Sequence, residues 1–252
     1  MPKRFVSLYL IALSGYAGLS ILMTWPLAAH LSDSLGSGID PQLQTWILAW
    51  DVHALRSHPA EVWQAPIFFP YPNTLAYSDH HLVLALLSAP IMWLTNNPVL
   101  AYNLLVLLSF VLSGWAVYAL GLDMLQECSG GRAEEALMAF VAGAAFSFGS
   151  FRMAQFVHLQ MLQTCWLAFA LLFLRRSLRP QGRWWDVLLL ALFSALQCIT
   201  ALYFAYFTLL TLGLYILVWM IEVGRRSVGS GDVEAWERHK TQDKRHQWGV
   251  GE

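Results

Sequence analysis

Charge is scarce in this chain. Only 12% of its 252 residues are Asp, Glu, Lys or Arg, where a soluble domain carries about a quarter. Hydrophobic residues make up 57%, and there are twelve tryptophans. So few polar side chains cannot cover a core that faces water, so lipid has to do the covering. Cysteine is scarce as well. Cys128, Cys165 and Cys198 show no CxxC spacing, and two of them lie inside apolar runs. They read as small buried hydrophobes rather than as a disulfide or a metal site. There is no P-loop, GxGxxG, HExxH or CxxCH, which removes the common nucleotide, metalloprotease and haem signatures. Ser78 and Ser150 lack the context of a nucleophile elbow. Lys and Arg form no stripe, so no nucleic-acid partner is expected.

Long apolar runs are what the chain has instead. A basic start, Lys3 and Arg4, precedes an apolar stretch at 5–29. A signal peptide competes for that stretch, with Ala28-Ala29-His30 as its weak cleavage site, but the run has the ~20 residues a span needs. Further spans are predicted at 99–122, 136–148, 157–174, 184–202 and 203–223. The Ala- and Gly-rich run 136–148 suits close helix–helix approach. The stretch 82–94 is short, contains Pro90, and is fenced by Asp79-His80-His81 and Thr95-Asn96-Asn97-Pro98. If it does not cross, Lys3/Arg4, the Arg175–Arg183 cluster and Arg225/Arg226 all fall on one side, the cytoplasmic one by the positive-inside rule. It therefore reads as interfacial or re-entrant. The expected fold is an all-α integral membrane protein of about six transmembrane helices, with one or two interfacial helices in a first outer loop at 30–98. The membrane domain covers 1–226, and 227–252 reads as a disordered, polar cytoplasmic tail.

The outer loops gather the unusual side chains. Six of the eight histidines fall there (His30, His53, His58, His80, His81 and His158), with Asp33, Asp40, Asp51, Glu61 and Asp79. Imidazoles and carboxylates concentrated beside an apolar bundle suit acid–base or metal chemistry. Loops outside a membrane are also simply where polar residues can go. The stretch 42–55 reads as an amphipathic interfacial helix with Leu43, Trp46, Ile47, Trp50 and Ala54 on its apolar face and Gln44, Asp51 and Arg56 off it. Asp40-Pro41 looks like its start, with Asp40 as N-cap. The stretch 63–77, WQAPIFFPYPNTLAY, is broken by Pro66, Pro70 and Pro72 and forms a stiff aromatic loop. It could line a lipid or sugar site, or anchor the chain at the interface.

An outer loop with an Asp before an interfacial helix, the stretch FFPYPNTLAYSDHH, the run NPVLAYNLLVLLSFVLSGWAVYAL and the block FSFGSFRMAQFVHLQ together resemble the N-terminal part of bacterial GT-C superfamily glycosyltransferases. The resemblance covers roughly 5–226. It implies transfer of a sugar from a polyprenyl-phosphate donor on the outer face, with the donor's lipid tail in a groove between the bundle and the interfacial helices. It also implies that Asp40 acts as general base or helps bind a divalent metal, the one cofactor it suggests. The second acidic position of the family is absent; Gln155, His158 and Gln160 occupy that region. His80, His81 and His158 are the further catalytic candidates, and Asp79, Arg152, Gln155 and Gln160 the substrate-binding ones. Arg152 is the natural partner of a departing phosphate, unless it snorkels to lipid headgroups. Superfamily members typically have more than six spans, so a fragment, a shortened paralogue or one half of an assembly is expected. Two readings compete: a non-catalytic membrane subunit, and a transporter or flippase of lipid-linked sugars. The latter needs a polar path, for which only Asn103, Gln163, Asp186, Gln197 and Thr208 are at hand.

Overall fold

The computed structural model describes residues 3–78, 80–129 and 133–247. Helices and connecting turns account for all of it; no strand occurs among the described residues. In chain order the helices are α1 (Lys3–Met23), α2 (Asp40–Ser57), α3 (Leu82–Thr95), α4 (Pro98–Ser129), α5 (Ala133–Ser147), α6 (Ser150–Ala154), α7 (Leu159–Leu162), α8 (Cys165–Ser177), α9 (Trp184–Thr200) and α10 (Leu202–Gln247). The chain forms two compact units, Met1–Thr208 and Leu209–Glu252, the second being the continuation of α10.

Three helical stretches are long and apolar enough to cross a membrane: Pro98–Leu125, Ala133–Ala154 and Leu202–Arg225. Three shorter apolar helices accompany them: Ser7–Met23, Leu82–Thr95 and Trp184–Thr200. Of the six expected spans, α4, α5 with α6, and α10 thus have the length to cross, while α1 and α9 are among the shorter apolar helices. At 14 residues α3 rises about 21 Å, short of the ~30 Å hydrocarbon core. The run 157–174 is not one helix but two, α7 and the 13-residue α8, parted at Gln163-Thr164. Gln197 of α9 holds that break open. Its Nε2 donates to the Gln163 carbonyl at 2.9 Å, and its Oε1 accepts the Leu167 N–H at 2.9 Å. Both backbone groups would otherwise be orphans of a helix end. Past Arg226, α10 runs on to Gln247, through the stretch whose composition predicts a disordered tail.

The core of the first unit is α4, half of whose apolar window is buried. It packs against α1, α3, α5 and α8. The α1–α4–α5 contact is tight because Gly114 and Gly143 leave room for Tyr16. That ring is fully buried, its hydroxyl donates to the Phe140 carbonyl at 3.0 Å, and a Cβ on Gly114 would stand 2.6 Å from it. This is the close approach that small residues allow between apolar helices. At the other end of α4, Asp123 accepts from Arg176 Nε at 2.8 Å, Arg175 Nε at 3.2 Å and the Arg179 guanidinium. The arginine cluster that set the predicted orientation is therefore also the clamp that fixes α8 to α4.

α2 lies on α3 and α4 rather than flat with its two tryptophans buried. Its buried residues are Pro41, Gln44, Thr45, Ile47, Leu48, Asp51, Val52 and Ala54. The helix is thus rotated from the predicted apolar stripe. Leu43 is exposed, and of the three polar residues predicted off the stripe Gln44 and Asp51 are inside while Arg56 is exposed.

Candidate functional site: an open and a sealed aspartate–histidine contact

α2 begins at Asp40, with Ile39 in the cap position and no side-chain cap. The Asp40 carboxylate is therefore not spent on its own helix, as the N-cap expectation had it. Its Oδ2 instead meets His158 Nε2 at 3.2 Å, across 118 positions of sequence. Asp40 stays 58% exposed and His158 32%, so both remain within reach of a substrate.

Side-chain hydrogen bonds to backbone carbonyls hold the two sides of this contact. On the Asp40 side, Asn103 of α4 donates through Nδ2 to the Leu31 and Ser34 carbonyls at 2.9 and 2.8 Å, and Asn97 Nδ2 donates to the Ser32 carbonyl at 2.9 Å. These bonds pin the connection that leads into α2. On the His158 side, the Tyr102 hydroxyl donates to the Val157 carbonyl at 2.9 Å. Leu159 and Leu162 anchor α7 in the same core cluster as Leu48 and Val52 of α2. The two sides touch at Gly36, where a Cβ would come 3.2 Å from Val157 Cγ1 and 3.7 Å from Pro41 Cγ. A cavity of about 480 Å³ opens beside Gly36, walled by Trp25, Leu27, His30, Leu35, Met153 and Phe156. That volume lies in the range of small-molecule sites. The His158 ring leaves Nδ1 buried with no hydrogen-bond partner among the described residues.

His81 makes a second contact with a carboxylate, of opposite character. Asp51 and His81 are both 0% exposed, and the His81 backbone N–H donates to Asp51 Oδ2 at 2.7 Å. Asp51 Oδ1 and both His81 ring nitrogens have no partner among the described residues. Burial pushes the Asp51 carboxyl up to about 7, partly opposed by the His81 N–H. Burial, with His80 next, pushes the His81 imidazole down to about 3. A neutral, sealed imidazole cannot take a proton from a substrate in solution. His80 is half-buried, its ring edge-on to Trp63 at 4.4 Å between centroids. Asp79 lies outside the described residues.

Arg152 is 4% exposed. It donates through Nε to the Ser147 carbonyl at 3.0 Å, through Nη2 to the Ser109 carbonyl at 3.4 Å, and through Nη1 to Thr164 Oγ1. It lines a different cavity from the one beside Gly36. The phosphate-binding role expected of it at the Asp40 site thus has no support in contacts. Gln155, half-buried at the end of α6, and Gln160, buried on α7, lie on either side of His158 in the chain.

Among the described residues no three of His, Cys, Asp and Glu converge as metal ligands. Asp40 and His158 supply only two donors, too few for a protein-held zinc and a poor match for an oxygen-preferring cation. Of the five polar residues that a transport path would need, Thr208 is buried with no partner for its hydroxyl among the described residues, and the others have contacts of their own. Asn103 holds the 31–34 connection, Gln163 and Gln197 satisfy the α7–α8 break, and Asp186 accepts the Arg183 N–H at 2.9 Å at the start of α9. Neither Tyr102 nor Thr164 stands out in the sequence; Tyr102 lies in an apolar run, and the partner that gives Thr164 its role is twelve positions away. No protein-family model matches the chain, and no curated protein or solved structure matches it.

Proposed function

We propose that this chain is a membrane glycosyltransferase-like protein that acts on a lipid-linked sugar at the outer face of the cell membrane, with Asp40 and His158 as its proton-accepting centre. The observation that carries the reading is the 3.2 Å contact between these residues, partly open to solvent, whose chain neighbours Pro41 and Val157 flank Gly36 in the wall of an apolar cavity. Asp40 takes the proton of an acceptor hydroxyl while the acceptor oxygen bonds to the anomeric carbon of the donor. The bond from that carbon to the phosphate oxygen breaks, and the polyprenyl phosphate leaves with the electron pair. His158 Nε2 orients the carboxylate and shares the proton it gains. The cavity beside Gly36 receives the first part of the donor's chain.

The test incubates the purified full chain, in lipid, with polyprenyl-phosphate-linked hexoses and pentoses and follows release of polyprenyl phosphate. Turnover that disappears in Asp40→Asn, with the protein still folded, supports the reading. Equal turnover in the wild type and Asp40→Asn, or none with any donor, rejects it. The reading also requires an orientation: both termini cytoplasmic, and α2 outside. Single cysteines at Ser57, Ser129 and Ser177 in a cysteine-free background, treated with an impermeant thiol reagent on intact cells, should label at Ser57 alone.

A second reading, a non-catalytic membrane subunit, draws support from Arg152. The one cation the sequence pattern offered to a departing phosphate is bound to Ser147, Ser109 and Thr164 instead. In that case Asp40→Asn changes neither turnover nor assembly.

A further inference from the structure

Arg152 poses a problem of its own. It is 4% exposed in a bundle with an apolar exterior, and no ion pair among the described residues includes it. Its contacts are two carbonyls, the Thr164 hydroxyl and the faces of Phe110 and Phe146, at 5.4 and 5.6 Å from the ring centroids. These contacts use three of the five guanidinium N–H groups and cancel none of its charge. A buried cation without a counter-charge is costly. The guanidinium also forms part of the wall of a cavity of about 490 Å³ between α5, α6, α7 and the start of α10. The rest of that wall is mostly apolar, including Phe146, Phe151, Met161, Phe204 and Phe207.

We propose that this cavity binds a single-chain anionic lipid, its headgroup on Arg152 and Thr164 and its chain along Phe151, Phe204 and Phe207. One charged anchor in an apolar cavity matches one anionic head on an apolar chain. The anion supplies the charge that the protein itself does not place beside Arg152. A free anion would leave the aromatic wall unused, and an uncharged lipid would leave the guanidinium uncompensated. This cavity shares no wall residue with the one beside Gly36 and includes neither Asp40 nor His158, so the inference stands or falls independently of the transfer reading.

The test uses the delipidated full chain in neutral detergent, with bound lipid counted by native mass spectrometry. Lysophosphatidate and oleate are the anionic probes, lysophosphatidylcholine the zwitterionic control, and inorganic phosphate the headgroup alone. The expected result is one saturable site for each anionic lipid, at least about tenfold tighter than for lysophosphatidylcholine, with no competition from phosphate. Ala145→Phe fills the cavity from an exposed position and leaves Arg152 untouched; it should abolish the site. Arg152→Gln should erase the preference for anionic over zwitterionic lipid. Should Arg152→Gln fail to fold, Ala145→Phe decides alone. Equal affinity for lysophosphatidylcholine, displacement by phosphate alone, unchanged binding in Ala145→Phe, or no bound lipid would each overturn the proposal.

Discussion

Asp40 with His158 and Asp51 with His81 are built from the same two side-chain types, barely a dozen positions apart on α2, and differ in almost everything else. In the first, ring nitrogen meets carboxylate oxygen and both groups reach solvent. In the second, the contact runs through the backbone N–H of His81 and both side chains are sealed. Burial separates their chemistry. A solvated carboxylate stays open to a substrate. A sealed one holds its own proton up to about 7, and its imidazole neighbour stays neutral down to about 3. The open contact is suited to reaction and the sealed one to holding α2 against the start of α3.

The largest effect expected from breaking this comparison is on turnover. Asp40→Asn should lower transfer by about 10²–10⁴-fold, the usual value of a positioned base, while Asp51→Asn should leave it within a factor of a few. Transfer assays on the two purified variants measure both. A stability change follows in size. His81→Leu replaces a ring whose nitrogens have no partner among the described residues with an apolar side chain of similar bulk, and keeps the backbone N–H on Asp51. Removing an unsatisfied buried polar group should stabilise the fold by about 1 kcal/mol, read as a raised melting temperature in detergent.

The pH dependence of stability sharpens the contrast. Asp51, raised to about 7 in the fold, binds protons there that the unfolded chain has lost, so its contribution declines as pH rises from about 4 to about 7. His81, lowered to about 3, remains neutral where the unfolded chain protonates, so its contribution declines as pH falls from about 6.5 to about 3. Over roughly pH 4–6.5 the two slopes oppose each other, and the wild type should melt at a nearly constant temperature. In Asp51→Asn only the histidine slope remains, so melting should fall steadily as pH drops below about 6.5. A variant as flat as the wild type would contradict the sealed environment. The smallest effect belongs to the open contact. A double-mutant cycle of Asp40→Ala and His158→Ala should return a coupling below about 1 kcal/mol in stability, as exposed ion pairs do.

How much of this was legible beforehand varies by element. The apolar run of α4 declared itself, because hydropathy over a long stretch is a local property. The break in 157–174 did not, because the bonds that stabilise it come from Gln197, 34 positions from Gln163. The rotation of α2 was hidden for a related reason. Asp51 looks like a solvent-facing residue until the His81 N–H is brought to it from thirty positions away. Asp40 and His158 could each be singled out by residue type and loop position. Their contact could not, since it depends on Asn103 and Tyr102 of α4 fixing two distant connections. Arg152 was singled out as a cation for a departing phosphate, but the cavity it lines needs the start of α10 to close one side.

The most direct measurement is chemical footprinting of the full chain in lipid. Carbodiimide coupling to carboxyls and diethyl pyrocarbonate modification of imidazoles are read residue by residue by mass spectrometry. Fast modification of Asp40 and His158, slowed by a polyprenyl-phosphate-linked sugar, with Asp51 and His81 protected throughout, is the predicted result. Modification of Asp51 and His81 at the same rate as Asp40 and His158, or no slowing at the open contact by any donor, would contradict the account.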